Sequence, residues 1–269
     1  HGKTTVMYNL LLSMSEVYKD KKFYFFSYEE SEEAILLKIL NRLTALDLKY
    51  DYIKKYEGAI TNLQIIERYI KAKDTNISDI ERGKEKLDAL LKEGCIQIID
   101  KTYTVEKLAD ILTTASSRET IGAVFIDYIQ RIGTDSVLDL RASTAKVSDT
   151  LRNLAVSTGL PLIVGAQFSR AGVGRQSTTQ AATKPALQAL KESGNLEEDA
   201  NLVLGVWNKA AEEGTASSEA VDLEINVLKA RDGNPDAAVT LNFKRHLGII
   251  EDMNQQSSAK TGVCQEVVI

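Results

Sequence analysis

His1-Gly2-Lys3-Thr4-Thr5 runs straight into Val6-Met7-Tyr8-Asn9-Leu10-Leu11 at the start of the chain. A Gly-Lys-Thr that opens at once into an apolar helical pattern reads as the second half of a phosphate-binding loop. In such a loop the backbone N–H groups and the helix N-terminus cradle phosphates. The lysine reaches the outer phosphates, and the first threonine can hold Mg²⁺. The full signature carries another glycine five residues before Gly2. Neither that glycine nor an initiator methionine is in the sequence, so we expect the chain to continue upstream of His1. Short matches of this kind are common in surface turns, so this one takes its meaning from the rest of the chain.

Composition narrows the setting. The 269 residues suit one large or two modest domains, with enough chain for a sizeable core. A net charge of −5 announces no global basic field, yet it leaves room for a local basic channel. Cys95 and Cys264 have no metal-ligand spacing, and Cys95 opens the apolar run Cys95-Ile96-Gln97-Ile98-Ile99. A buried free thiol and a cytosolic protein are the expectation. No apolar run approaches the ~18 residues of a membrane span.

Val6, Leu10, Met14 and Val17 recur at helical spacing after the loop. Phe23-Tyr24-Phe25-Phe26-Ser27 is a short continuous apolar run, as in a buried strand of a parallel sheet. After Tyr28-Glu29-Glu30, Ser31 is placed to cap a helix bearing Ile35, Leu36, Ile39, Leu40 and Leu43 on one face. Residues 46–93 are charged and helical in pattern, with Leu63, Ile66 and Ile70 and then Leu87, Leu90 and Leu91 marking two helices. They read as a solvated helical insertion. The strand–helix rhythm resumes with Ile96–Ile99, a helix over Thr104–Ser117, a strand Ala123–Asp127, a long helix through Val147, Leu151 and Leu154, and a strand within Leu160–Ala166. This alternation predicts an α/β fold, a mainly parallel sheet flanked by helices.

Residues 169–184 are rich in Gly, Ser, Thr and Gln and are predicted to form a mobile loop. Leu202–Trp207 is a further strand, with Trp207 expected in the core. Val221, Leu223, Ile225 and Val227 alternate, and Lys229-Ala230-Arg231-Asp232-Gly233 turns them into Val239–Phe243. That is an antiparallel hairpin with Lys229 and Arg231 at its bend. A core over 1–251, carrying the 46–93 insertion, is expected to precede a loose tail at 252–269.

Three polar residues fall at the carboxyl ends of predicted parallel strands, where open α/β sheets bind ligands: Glu29, Asp127 and Gln167. Each alone means little. With Gly2-Lys3-Thr4 they make the set needed to split a nucleoside triphosphate. Asp127 can complete a Mg²⁺ shell opposite Thr4. Glu29 or Glu30 can accept a proton from an attacking water. Gln167 can hydrogen-bond the γ-phosphate and register its loss.

At this point the chain resembles the RecA-like motor domain of DnaB-type replicative helicases, a P-loop ATPase core. The resemblance rests on Gly2-Lys3-Thr4-Thr5, Phe26-Ser27-Tyr28-Glu29, Ile126-Asp127-Tyr128-Ile129-Gln130, Gln167 with Ser169-Arg170, Leu190-Lys191-Glu192-Ser193-Gly194 with Glu197-Glu198-Asp199-Ala200, and Lys229-Ala230-Arg231-Asp232-Gly233. The stretch from Lys191 to Ala200 is the most diagnostic, because phosphate loops are shared by many unrelated ATPases.

The resemblance implies ATP and Mg²⁺ as ligands. Gly2, Lys3, Thr4 and Thr5 would contact the nucleotide, and Thr4 and Asp127 the metal. Glu29, rather than Glu30, takes the catalytic base position, and Gln167 that of the sensor. Lys229 and Arg231 would reach the γ-phosphate of a neighbouring subunit in a homo-hexamer. Arg170, Arg175, Lys191, Glu192 and Gly194 would line a channel holding single-stranded DNA through its phosphates. Primase and a helicase loader are the implied partners, in a bacterial or phage replisome in the cytoplasm. Two rivals share the core: a RecA/RadA-like recombination ATPase that forms filaments on DNA, and a RecA-like signalling ATPase with no DNA role. Without the first half of its loop, this stretch of sequence is expected to bind ATP poorly.

Overall fold

Alternate residues of two neighbouring strands build both halves of the core. In β1 (Lys22–Ser27) and β3 (Ile121–Asp127), Phe23, Phe25, Ala123 and Phe125 point to one face, and Tyr24, Phe26, Val124 and Ile126 to the other. Both sets are buried, as a strand covered on both faces requires. The architecture is that of a computed structural model, which describes residues 2–47, 78–136, 138–167, 187, 196–208, 220–235, 237–245 and 247–253.

The first face is covered by α1 (Lys3–Val17), α2 (Glu32–Asp47) and α3 (Ser78–Lys92). The second is covered by α4 (Val105–Ser116) and α5 (Leu140–Thr158). Helix α2 buries Ile35, Ile39, Leu40 and Leu43, the face its spacing predicts. Helix α1 differs. It buries Met7, Tyr8, Leu11 and Leu12, whereas Leu10 and Val17 of the predicted series are exposed. Its stretch Val6–Leu12 is apolar nearly all round, so spacing alone does not set which stripe faces inward. Local signals fix the helix ends. Asp139 accepts from Ala142 N at 2.8 Å to cap α5, and Gly159, at φ 70°, ends it.

Among the described residues the strands form two sheets. The parallel one has the order β2-β1-β3-β4, with β2 Ile96–Ile99 and β4 Leu162–Val164. Non-sequential neighbours joined through helices give the α/β pattern that the sequence rhythm predicts. After the short helix α6 (Leu196–Asp199), the antiparallel sheet runs β5-β6-β7-β8: Leu202–Trp207, Ala220–Ala230, Ala238–Lys244 and Ile249–Asp252. The predicted hairpin is thus the centre of a larger sheet. Lys229 stands within β6, paired with Val203, rather than at the bend, whereas Arg231 opens the connection to β7 as expected. Cys95 and Trp207 are buried. No described helix is long and apolar enough to cross a membrane.

The two sheets meet at α1. Tyr8 Oη and Asn9 Nδ2 both donate to Gly248 O, at 3.2 and 2.9 Å, tying β8 to the helix that follows the loop. Gly248 sits at φ 69°, and a Cβ there would lie 2.3 Å from Tyr8 Oη. Only glycine fits both demands. Asn9 Oδ1 also accepts from Arg42 Nε at 2.5 Å, which brings α2 into the same polar knot.

Candidate active site

The first link is made at the carboxyl end of β3. Thr4 Oγ1, in the first turn of α1, donates to Asp127 Oδ2 at 2.5 Å across 123 residues of sequence. Asp127 is 3% exposed, and its second oxygen, Oδ1, is buried without a hydrogen-bond partner among the described residues. A buried, unpaired carboxylate oxygen is costly unless something positive meets it. Gly165 keeps the space beside it open, since a Cβ there would approach Oδ1 to 3.1 Å. One hydroxyl, one carboxylate and an unfilled buried oxygen fit a Mg²⁺ ion that takes few protein ligands and keeps phosphate and water as the rest.

Gly2, at φ 114°, begins α1, and the residues around it are Leu223, Phe243 and Val206 of the antiparallel sheet. Lys3 follows, with its ammonium 4.9 Å from the centre of the Tyr128 ring. Burial holds its pKa below the usual lysine range, while the negative charges of Asp127 and Glu29 act in the opposite sense. Thr5 carries the carbonyl to which Asn9 donates at 2.8 Å.

Glu29 and Glu30 part company at the end of β1. Ser27 Oγ donates to Glu30 O at 2.6 Å, and the Glu30 carboxylate is held by Lys38. Glu29 is exposed, and its charge is felt at Lys3. Ser27 is the register partner of Asp127, so this turn and the Thr4–Asp127 contact lie on adjacent strand ends. Gln167 lies beyond β4, next in the sheet after β3, with its backbone held by the Gln130 side chain.

Lys229 and Arg231 are elsewhere. The Lys229 ammonium donates to the carbonyls of Glu197 and Glu198, and Arg231 Nη2 donates to Glu198 O at 2.7 Å. Of the residues beside Gly2, Leu223 lies six residues before Lys229 on the same strand, and Val206 pairs with Ile225, four residues before it, which puts Lys229 roughly 13 to 20 Å of extended chain away. That separation is beyond a lysine or arginine side chain. Arg170, Arg175, Lys191, Glu192 and Gly194 lie outside the described residues. Tyr128, Gln130 and Gly165 are the site neighbours that residue type alone does not single out; Tyr128 and Gln130 stand inside one of the motifs without a role.

The parallel sheet with helices on both faces is a RecA-like α/β core. The profile of the DnaB-like helicase C terminal domain matches residues 1–252, and the chain belongs to that family. It is 27% identical over 248 residues to the replicative DNA helicase DnaB of Buchnera aphidicola subsp. Schizaphis graminum, covering 91% of this chain and 48% of that protein. The chain thus spans about half the length of the curated relatives it matches. In structure it is similar to a solved ATPase domain, with a TM-score of 0.71 and 21% identity over 94% of this chain and 81% of that one. It is also similar to a DnaB-like replicative helicase described with its interactions with primase, with a TM-score of 0.70 and 18% identity over 93% and 55% of the two chains. At these identities the structural likeness speaks for the fold.

Proposed function

We propose that the chain is the motor domain of a ring-forming replicative DNA helicase. It would hydrolyse ATP between subunits and draw single-stranded DNA through the ring. The observation that carries this is a division of labour in space. Lys3, Thr4, Asp127 and Glu29 lie together, while Lys229 and Arg231 are held more than about 10 Å along the sheet on the same chain. A complete site therefore draws its last positive groups from another copy.

In that site Lys3 would leave Tyr128 for the outer phosphates, and the N–H groups of Gly2 to Thr5 would hold them at the start of α1. Thr4 and Asp127 would hold Mg²⁺, which would neutralise negative charge on the phosphates. Glu29, free of the Lys38 pairing that occupies Glu30, would take the proton of the attacking water. Gln167 would bond the γ-phosphate or the water and follow its departure. Lys229 and Arg231 would stabilise the transferring phosphoryl group of the neighbour. In the lone chain both donate to carbonyls at the end of α6, which in sequence follows Lys191–Gly194, residues proposed to hold DNA. Movement of that DNA-holding segment and movement of the trans residues would thus be linked through α6. Arg170, Arg175, Lys191, Glu192 and Gly194 would hold the strand by its phosphates, giving salt-sensitive, sequence-independent binding. Primase or a loader is the fitting partner class, supported by the replicative relatives and the structural neighbour described with primase.

Subunit mixing tests the shared site. Lys3→Ala and Arg231→Ala preparations of the full-length protein should each lose ATP turnover by at least ~1000-fold. Mixed assemblies, verified by native mass spectrometry, should regain a measurable fraction. There an intact Lys3 meets an intact Arg231 from its neighbour. Mixed assemblies as inactive as their parents would overturn the trans assignment.

A further inference from the structure

We propose that Gln130 is a positioning residue that sets the backbone of Gln167 at the nucleotide site. The proposal rests on the sensor reading of Gln167 given above. The ladder between β3 and β4 stops short of Gln167. Ile126 pairs with Val164, the last residue of β4. Gly165 N then donates to Ile126 O at 2.8 Å, and Ile129 N donates to Gly165 O at 2.9 Å. At the next rung a regular parallel pair would offer Gln167 a backbone N–H and a carbonyl. Here the chain has already turned into the short helical turn Ile129–Arg131.

The Gln130 carboxamide fills that rung. Its Oε1 accepts from Gln167 N at 3.2 Å, and its Nε2 donates to Gln167 O at 3.0 Å. A primary amide carries the same donor and acceptor as a peptide unit, so one side chain extends the sheet where the backbone no longer can. Its neighbours hold it in place: Ile129 and Ile132 are buried, and Arg131 Nε donates to Tyr128 Oη at 3.0 Å. Gln130 also lies three residues after Asp127. The carboxylate assigned to the metal and the backbone of the assigned sensor therefore share one frame, and Gln167 cannot shift without breaking two hydrogen bonds to it. Other side chains fail differently. Glutamate cannot donate to the carbonyl, asparagine is a methylene shorter, and methionine keeps the shape with neither function.

The test compares Gln130→Met, Gln167→Ala and the double variant in the full-length protein. Gln130→Met should lower the kcat of DNA-stimulated ATP hydrolysis roughly 10- to 100-fold. KM and the thermal midpoint should stay near wild type, and exchange of the Gln167 amide with solvent deuterium should quicken. The double variant should turn over no more slowly than Gln167→Ala alone, since Gln130 acts through it. Wild-type turnover in Gln167→Ala would remove the sensor reading itself. An impaired Gln167→Ala beside a Gln130→Met of normal kcat, or of unchanged amide exchange, would overturn the positioning role alone. So would a Gln130→Met whose loss lies in KM or in the thermal midpoint.

Discussion

Two adjacent glutamates illustrate how much a single residue's surroundings decide. Glu30 is tied down by Lys38 and by the Ser27 turn, while Glu29 faces solvent with its charge felt at Lys3. Glu29→Gln should therefore cut ATP turnover by ~100-fold or more, with nucleotide binding kept. Glu30→Gln should leave turnover within about twofold and cost less than ~1 kcal/mol of stability, the worth of a partly exposed ion pair. Steady-state hydrolysis and denaturant melts of the two variants separate these outcomes. At Asp127, replacement by Asn removes one of two negative charges that oppose the burial of Lys3. The Lys3 pKa should fall further below the usual lysine range, and hydrolysis should require more Mg²⁺ than in the wild type. An NMR titration of the Lys3 ammonium and a Mg²⁺ dependence of the rate check the two effects, and chelating the metal should stop turnover in both proteins.

The elements show where sequence suffices and where it does not. Strands β1 and β3 announce themselves because burial on both faces demands an unbroken apolar run, and the α2 face follows from its spacing. The α1 face does not follow, because Val6–Leu12 is apolar nearly all round. The β6–β7 pair is legible from alternation and a turn. Strand β5 is legible too, as the run Leu202–Trp207, and the sheet order follows the chain, whereas the strand at Ile249–Asp252, β8, is not expected from the sequence. In the candidate site, Lys3 and Thr4 are legible from the Gly-Lys-Thr motif at a helix start, and Asp127 and Glu29 from residue type at strand ends. Gln130 is not, because a side chain completing a backbone ladder depends on where another strand stops. Gly248 belongs to the same class: only the fold brings it under Tyr8. Gly248→Ala should destabilise the protein by about 1–3 kcal/mol, from positive φ and steric conflict together. Chemical denaturation measures it, and a neutral result would mean the α1–β8 tie tolerates a shift.

At the scale of the molecule, an acidic chain and a DNA-handling role are compatible once the work is spread over copies. A few positive groups per subunit, repeated around a ring, can hold a phosphate backbone while the net charge stays at −5. On the proposed reading, Lys229 and Arg231 act at a neighbour's site rather than their own, and α6, to whose carbonyls both donate, links them to the chain that precedes it. On this proposal each feature would gain its function from a second subunit. The most direct measurement is therefore the ATPase rate of the full-length protein with and without single-stranded DNA, taken together with its assembly state in solution. The account predicts a closed ring whose hydrolysis rises when single-stranded DNA is added; a protein that forms no ring and whose rate ignores DNA would contradict it.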